Sequence, residues 1–377
     1  MPERNLNFDE HVDRRNTDCL KYDFAKRKGL PEDVLPLWVA DMDFKTSSYI
    51  EDALVERAKQ AIFGYSEVQT PYFNAVSNWM KTHHNWEVKE RWLVKTPGVV
   101  FALAMAVKAF TKQGDHVIIQ SPVYYPFSEV ITNNERNVVS SDLYFGDDNR
   151  YHMDYEDFEK KIIENDAKLF LLCNPHNPVG RVWTKEELEK VGDICLKHNV
   201  LVVSDEIHAD FVFKGKHQVF AAIKKEYEDI TMTCTAPSKT FNMAGMMTSN
   251  IIVPNPELKQ KVYDYRESQA VFFCNMAGYK GCEIAYNDCE DWLEELLPIL
   301  DHNRRVVEDF MAEHFPQIKV MRLEGTYLQW LDCRGLGLTY KELEAFMTQE
   351  AFIFTDEGYV FGEPGECFER INLACPT

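Results

Sequence analysis

The middle of the chain is a series of short, almost continuously apolar runs that are separated by segments with helical periodicity. Strands have this composition when helices cover both faces of a mostly parallel sheet, because neither face of the strand then meets water. The alternation of such strands with helices predicts a layered α/β domain. The apolar runs lie at residues 116–119, 168–172, 200–203, 230–234 and 250–253.

The pattern changes at about residue 285. Two amphipathic segments, 292–300 and 304–314, predict two helices, and the alternating segment 319–323 predicts a strand. We therefore expect a large α/β domain over residues 46–284 and a smaller α+β domain that contains residues 285–377.

The composition excludes several functional classes. The 377 residues carry 41 basic and 61 acidic side chains, and the net charge of −20 argues against binding to nucleic acid or to an anionic membrane surface. No apolar stretch reaches the roughly 18 residues of a membrane span, and the N-terminal residues lack the apolar core of a signal peptide. Ten cysteines occur without a C-x-x-C pair or zinc-ligand spacing, which predicts reduced thiols, a cytoplasmic location and no bound metal.

Polar side chains follow three of the predicted strands, at the sheet edge where open α/β sheets bind their ligands. After the run 230–234, a turn of small residues leads to Lys239. A lysine that is partly buried beside apolar groups has a lowered pKa, so its amine is free to form an imine with a carbonyl compound. By itself, the position also fits a surface lysine on a turn.

Two further polar residues follow neighbouring strands: Asp205 comes after the run 200–203, and Asn177 lies in an N-P-x-N-P-x-G turn after the run 168–172. A carboxylate at a strand end can pair with a protonated ring nitrogen, although Asp205 or Glu206 can equally cap a following helix. Asn177 can donate a hydrogen bond to a phenolate oxygen. The prolines and the glycine around it make an ordinary loop the weaker alternative.

Taken together, the three segments resemble the fold-type I pyridoxal 5'-phosphate (PLP) enzymes, the aspartate-aminotransferase-like superfamily, over essentially the whole chain. The gap of 34 residues from Asp205 to Lys239 is typical of that superfamily. The resemblance implies PLP bound to Lys239 as a Schiff base, Asp205 at its ring nitrogen and Asn177 at its phenolate oxygen. It also implies that a seven-stranded sheet lies in the large domain and that residues 1–45 belong to the small domain.

The same resemblance assigns further cofactor contacts. The backbone amides of Val99 and Val100 open a predicted helix and suit the phosphate, because a helix N-terminus offers free N–H groups. Ser238 is a further candidate for the phosphate. Tyr65 reaches the phosphate of a neighbouring subunit, which implies a homodimer with shared active sites. Tyr124 stacks on the cofactor ring, although each tyrosine by itself also fits core packing.

Near the C-terminus, residues 367–373 alternate as a strand that has Phe368, Arg370 and Asn372 on one face. Arginine binds a carboxylate through two parallel hydrogen bonds. The F-x-R-x-N context resembles that of the superfamily's arginine for the substrate α-carboxylate. We therefore predict that Arg370 holds that group, and a surface salt bridge is the lesser alternative.

One branch of the superfamily, the cystathionine β-lyase-like carbon–sulfur lyases, is the most similar. Residues 38–44, W-V-A-D-M-D-F, resemble a segment that lines the substrate side of the pocket in that branch. This similarity assigns Val39 and Ala40 to substrate binding.

Two departures from the aminotransferase pattern favour the same branch. His208 stands three residues after Asp205, where aminotransferases commonly have a tyrosine, and the resemblance places it near the cofactor oxygen. Met247 stands eight residues after Lys239, where many aminotransferases have an arginine for the phosphate. Phosphate binding would therefore depend on the residues assigned above.

The resemblance implies a β-lyase that cleaves cystathionine or cysteine-type substrates to pyruvate, ammonia and a thiol. Lys239 would be the general base at Cα, and Tyr124 would assist the departure of the thiolate. An aminotransferase is the alternative, because the two reactions share their first steps. A PLP-fold protein that regulates through a protein partner is a less favoured alternative, and no basic DNA-binding segment is visible.

Overall fold

The computed structural model describes residues 6–31 and 33–377. Residues 1–5 and Glu32, which belong to the predicted small domain, lie outside the described residues. The helices are α1 Leu20–Arg27, α2 Ser48–Lys59, α3 Thr70–His84, α4 Val99–Phe110, α5 Pro126–Thr132, α6 Tyr155–Asn165, α7 Lys185–Lys197, α8 Phe220–Ile223, α9 Pro237–Thr240, α10 Pro256–Ser268, α11 Met276–Asp288, α12 Glu290–His314 and α13 Tyr340–Ala345. The strands are β1 Leu35–Pro36, β2 Leu93–Thr96, β3 His116–Ile119, β4 Asn137–Ser140, β5 Tyr144–Phe145, β6 Tyr151–His152, β7 Leu169–Cys173, β8 Leu201–Asp205, β9 Thr231–Thr235, β10 Ser249–Ile252, β11 Lys319–Val320, β12 Leu328–Asp332, β13 Ile353–Phe354, β14 Asp356–Glu357 and β15 Phe368–Asn372.

Seven strands form one sheet in the order β2-β10-β9-β8-β7-β3-β4. β10 runs antiparallel to both of its neighbours, and every other pair in the sheet is parallel. All five predicted strands are present, with their ends within two residues of the predicted ones. The predicted α/β fold with a mostly parallel, seven-stranded sheet is therefore confirmed.

Helices cover both faces of this sheet, and the strands alternate their side chains between two apolar clusters. On β7, Leu171 faces the cluster that contains Leu103 of α4. Its neighbours Phe170 and Leu172 face the opposite cluster, which contains Leu188 of α7. Burial of such a side chain contributes roughly 1.5–3 kcal/mol. Because both faces are covered, the central strands are apolar at nearly every position.

The helix α12 corrects one prediction. The segments 292–300 and 304–314 belong to a single helix that runs through Pro298, and not to two helices. The polar residues between them concealed this continuity. Asn303 is buried on the same face as Leu296 and Leu300, and its amide donates to the carbonyls of Leu373 and Cys375 at 2.8 Å each. A buried polar side chain that is fully hydrogen-bonded can replace an apolar one in the stripe.

A second sheet contains four antiparallel strands in the order β11-β12-β15-β14. Its β11 covers only the start of the strand that was predicted over 319–323. Trp330 of β12 stacks on Phe368 of β15 with the ring centroids 5.1 Å apart, and both belong to a cluster of the large sheet. The N-terminal part joins this region through β1, which pairs in parallel with β13.

The carboxyl ends of the central strands meet at one edge of the large sheet. Cys173 at the end of β7 lies opposite Asp205 at the end of β8, and Asp205 lies opposite Cys234 of β9. The turn that contains Asn177 and the helix α9 that contains Lys239 leave this same edge. The fold thus brings together the three segments that the sequence singled out.

Candidate active site

Lys239 lies on the single-turn helix α9, directly after β9. Its Nζ donates a hydrogen bond to the backbone oxygen of Ala40 at 2.8 Å. Burial lowers the pKa of the amine to about 8, while nearby Asp41 partly raises it again. No carboxylate of the described residues forms an ion pair with this amine. A weakly held amine with a lowered pKa is suited to imine formation and to proton transfer. Burial would not lower the pKa of a surface lysine, so the surface-lysine alternative is wrong.

Two side-chain contacts hold the turn of Lys239. Thr240 donates from Oγ1 to Oδ2 of Asp210 at 2.5 Å, and Asp210 also accepts from Trp79 and contacts His84. On the other side, Asn242 donates to the carbonyls of residues 42 and 44 at 3.0 and 2.7 Å. The lysine turn is therefore attached both to the loop after β8 and to the segment 38–44.

Asp205 is the last residue of β8 and is 5% exposed. Its Oδ1 accepts a hydrogen bond from the N–H of Ile207 at 3.2 Å. A turn, and not a helix, follows it, so the helix-cap alternative is wrong. Burial raises the pKa of this carboxyl to about 7, and the charge of Lys239 opposes that rise. A cation placed beside Asp205 would keep it ionised.

Asn177 and Arg370 are in direct contact. Arg370 donates from Nη1 to Oδ1 of Asn177 at 3.0 Å and from Nη2 to the Trp38 carbonyl at 2.8 Å, and it also pairs with Asp356. The arginine is only 2% exposed, so the surface salt-bridge alternative is wrong. Its Nε is buried without a hydrogen-bond partner among the described residues.

Tyr124 and His208 flank these residues. The N–H of Tyr124 donates to the backbone oxygen of Asn177 at 3.1 Å, and burial raises the pKa of its phenol. Burial, with Lys239 and Arg370 nearby, lowers the pKa of His208 well below 6.5, so its ring is neutral. The Nδ1 of His208 has no hydrogen-bond partner in the part of the chain that the structure describes.

The segment 38–44 passes between these residues and contacts them through its carbonyl groups. Val39 accepts from the side chain of Asn372 at 2.8 Å. Ala40 accepts both from Lys239 and from the phenol of Tyr327, each at 2.8 Å. Tyr327 was missed in the sequence, because a tyrosine directly before a buried strand is typical of core packing. Asp356, the ion-pair partner of Arg370, was also missed, because it lies in a two-residue strand, which is too short to show a pattern in the sequence.

The N-terminus of α4 forms an open cradle. Val99 is buried and Val100 is 41% exposed, and the preceding Gly98 has φ +94°. A Cβ atom built on Gly98 would meet only the Cε of Met247, at 3.7 Å. Met247 therefore lies beside the cradle, where an arginine would serve a phosphate. Ser238 lies partly exposed on the helix of Lys239.

Tyr65 is not brought to Lys239 within its own chain. It is 95% exposed, and its ring contacts that of Phe273 in a tilted arrangement with the centroids 5.5 Å apart. Phe272 is also exposed, with its ring centroid 6.5 Å from that of Phe273, and Ile62 and Phe63 are exposed close to Tyr65 in the sequence. The prediction that Tyr65 serves a neighbouring subunit remains untested by this geometry.

The residues at the sheet edge fit PLP. Asp205 is a buried carboxylate for which the described residues offer no ion-pair partner, and a protonated ring nitrogen would supply one. The amine of Lys239 is available, and His208 and Arg370 each keep a buried nitrogen without a partner. The free N–H groups of α4 suit a phosphate. Within the described ranges, no group of three metal-ligating side chains is arranged to hold a metal, and no helix is long and apolar enough to cross a membrane.

Comparisons with known proteins agree with this site. Cystathionine beta-lyase PatB of Bacillus subtilis (strain 168) is 40% identical over 371 residues, which are 98% of this chain and 96% of that protein. Cystalysin of Treponema denticola, whose structure contains PLP, superposes with a TM-score of 0.95 at 43% identity and covers 98% of this chain and 95% of its own. The PLP-bound C-S lyase of Staphylococcus hominis superposes with a TM-score of 0.91 at 32% identity and covers 99% of this chain and 95% of its own. The sequence pattern of aminotransferase class I and II matches residues 32–377, and the chain belongs to that family.

Proposed function

We propose that the protein is a PLP-dependent carbon–sulfur β-lyase that cleaves cystathionine or cysteine-type amino acids to pyruvate, ammonia and a thiol. The proposal rests first on one contact, the hydrogen bond from Lys239 to Ala40. It joins the reactive amine to the segment 38–44, whose sequence resembles the β-lyase branch. Relatives that are named cystathionine beta-lyase and C-S lyase point to the same reaction.

The cofactor would be held by residues with complementary chemistry. When bound, PLP supplies a ring that accepts the electron pair left on the substrate after a Cα proton departs. Asp205 would keep the ring nitrogen protonated, and Asn177 would donate to the phenolate oxygen while its Oδ1 stays on Arg370. The amides of Val99 and Val100 would bind the phosphate. Ser238, His208 and Tyr65 are further cofactor ligands in this proposal.

Arg370 would bind the substrate α-carboxylate and so fix the direction of the Cα–H bond. Lys239 would then take the Cα proton on Nζ, and its pKa of about 8 leaves part of the amine unprotonated near neutral pH. The departing thiolate needs a proton. We assign this proton to Tyr124, whose raised pKa keeps its phenol protonated, or to the ammonium of Lys239.

The test is an incubation of PLP-loaded protein with L-cystathionine and no keto acid, in which pyruvate and free thiol are measured. We expect equal amounts of both products, and none from Lys239→Ala. If no pyruvate forms and the cofactor absorbance changes to that of its amine form, the protein is an aminotransferase and the β-lyase proposal fails.

We also propose a homodimer in which Tyr65 serves the active site of the partner. Exposed apolar side chains in contact with each other are typical of a protein interface, and Tyr65, Phe273 and Phe272 form such a group. A mixture of Lys239→Ala chains with Tyr65→Ala chains tests this arrangement. Mixed dimers would contain one site with both native residues, so activity should exceed that of either variant by itself. A mixture that gains no activity would contradict a shared site.

The division into domains and the location are proposals too. We place the large domain at 46–284 and the small domain at 1–45 together with 285–377. The pairing of β1 with β13 supports this division, because it attaches the N-terminal residues to the C-terminal part. All ten cysteines are free thiols, which supports a cytoplasmic location. Limited proteolysis and cell fractionation would test the two proposals.

A further inference from the structure

One backbone oxygen at the site accepts two hydrogen bonds. The carbonyl of Ala40 receives Nζ of Lys239 and the phenol of Tyr327, each at 2.8 Å. The peptides on either side are fixed, because the carbonyls of Val39 and Asp41 both accept from the side chain of Asn372, at 2.8 and 2.7 Å. The Ala40 oxygen therefore keeps its direction whichever donor it binds.

Packing holds the ring of Tyr327 in place while its hydroxyl donates to this oxygen. The side chain is fully buried, and its ring meets Phe211 edge-on with the centroids 4.8 Å apart and His208 at 5.6 Å. Burial raises the pKa of the phenol well above 10, so the hydroxyl stays protonated and can donate throughout the neutral pH range. The ring, and not the hydroxyl, makes the packing contacts.

A carbonyl oxygen has two lone pairs, and here each of them serves one donor. The phenol draws charge from the oxygen and so weakens the bond that the oxygen makes to Lys239. A hydrogen bond to the charged form of a group favours that form. Without the phenol, the Ala40 oxygen would bind the ammonium of Lys239 more strongly and delay its loss of a proton.

We propose that Tyr327 is a positioning residue that shares the Ala40 oxygen with Lys239 and thereby leaves the freed amine loosely held and ready to take the substrate proton. This role rests on the proposed function. In the proton-transfer step the Cα–H bond breaks, its electron pair stays with the substrate, and an N–H bond forms at Nζ. Tyr327 itself neither gains nor loses a proton.

The test measures the pKa of Lys239 in the full-length chain without cofactor, by competitive acetylation with acetic anhydride at a series of pH values, followed by mass spectrometry. We expect Tyr327→Phe to raise that pKa by about half a unit, since a neutral hydrogen bond contributes on the order of one pKa unit or less. The acidic limb of the kcat–pH profile of the PLP-loaded protein should move upwards by the same amount.

Tyr72→Phe is the matched control. Tyr72 is also buried and loses one hydrogen bond, from its phenol to Oδ1 of Asn250 at 2.6 Å, but that bond lies away from Ala40. Its substitution should leave the Lys239 pKa unchanged. An unchanged or lowered pKa in Tyr327→Phe would overturn the proposal.

A second variant keeps the test decisive if Tyr327→Phe does not fold. Replacement of Tyr327 by 3-fluorotyrosine retains the hydrogen bond and makes the phenol a stronger donor, so the Lys239 pKa should fall. A rise, or no change, would contradict the sharing of the oxygen. Because acetylation requires no substrate, this test can fail while pyruvate formation stands, and the reverse also holds.

Discussion

Arg370 donates a hydrogen bond from Nη1 to the side-chain oxygen of Asn177, and the two atoms are 3.0 Å apart. The contact joins β15 to the turn after β7, which are 193 residues apart in the sequence. It connects the residue proposed for the substrate carboxylate with one proposed for the cofactor. A substitution of Arg370 is therefore expected to affect both the substrate side and the cofactor side of the site.

Arg370→Lys should raise the KM for L-cystathionine by about 10- to 100-fold, because a charge-assisted hydrogen bond contributes roughly 1.5–3 kcal/mol and lysine cannot match the bidentate geometry. Steady-state kinetics would measure the change. Arg334→Lys is the matched control, since Arg334 pairs with Asp332 in the same sheet away from Asn177. An unchanged KM in Arg370→Lys would remove this arginine from substrate binding.

Asp205→Asn should make the cofactor-free chain more stable at pH 8 than the parent chain. The folded-state pKa of Asp205 is raised from 3.8 to about 7. Its contribution to stability is therefore complete below about pH 4 and is lost as the pH rises to 7, whereas asparagine does not titrate. The gain at pH 8 should reach as much as about 4 kcal/mol and should shrink towards pH 5.

Denaturant unfolding of both cofactor-free chains at the two pH values would measure this difference. In the PLP-loaded protein the same substitution should act in the opposite direction and weaken cofactor binding, because the ring nitrogen loses its anionic partner. A stability difference that does not depend on pH would show that the carboxyl of Asp205 titrates normally.

Gly98→Ala should weaken PLP binding as well as folding. At φ +94° a side chain is strained by roughly 1–2 kcal/mol, and the N-terminus of α4 would have to move to relieve that strain. Gly29→Ala is the matched control, because Gly29 also has positive φ, +74°, and no atom lies near its Cβ position. Both variants should lose stability in thermal unfolding, but only Gly98→Ala should raise the Kd for PLP.

Thr240→Val should lower kcat more than it raises KM. The substitution keeps the shape of the side chain but removes the hydrogen bond to Asp210, which stays buried beside His84. A buried acceptor that loses a hydrogen-bond partner costs about 1–3 kcal/mol of stability. The turn that carries Lys239 is then held less firmly. Thr240→Ser retains the hydroxyl and should restore both stability and kcat. If serine does not restore them, packing of the methyl group is the cause.

Much of the fold could be predicted from local patterns. The apolar runs identified five central strands, because a strand covered on both faces must be apolar along its length. The predicted break between two helices at residues 300–304 was wrong. Asn303 lies in the buried stripe of a single helix, because its amide donates to two distant carbonyls. A hydrogen-bond acceptor from another part of the chain has no local signature.

The candidate site, like the fold, could be predicted only in part. The residue types that follow the strands β7, β8 and β9 could be predicted, because a polar residue at the end of an apolar run is visible in the order of the residues. Their hydrogen-bond partners could not be predicted, because these come from distant segments that meet only in the folded chain. Lys239 meets the carbonyl of Ala40 and Tyr327 meets the same oxygen, across 199 and 287 residues. Every residue has a backbone carbonyl, so nothing in the sequence distinguishes that of Ala40 until folding directs it towards the lysine.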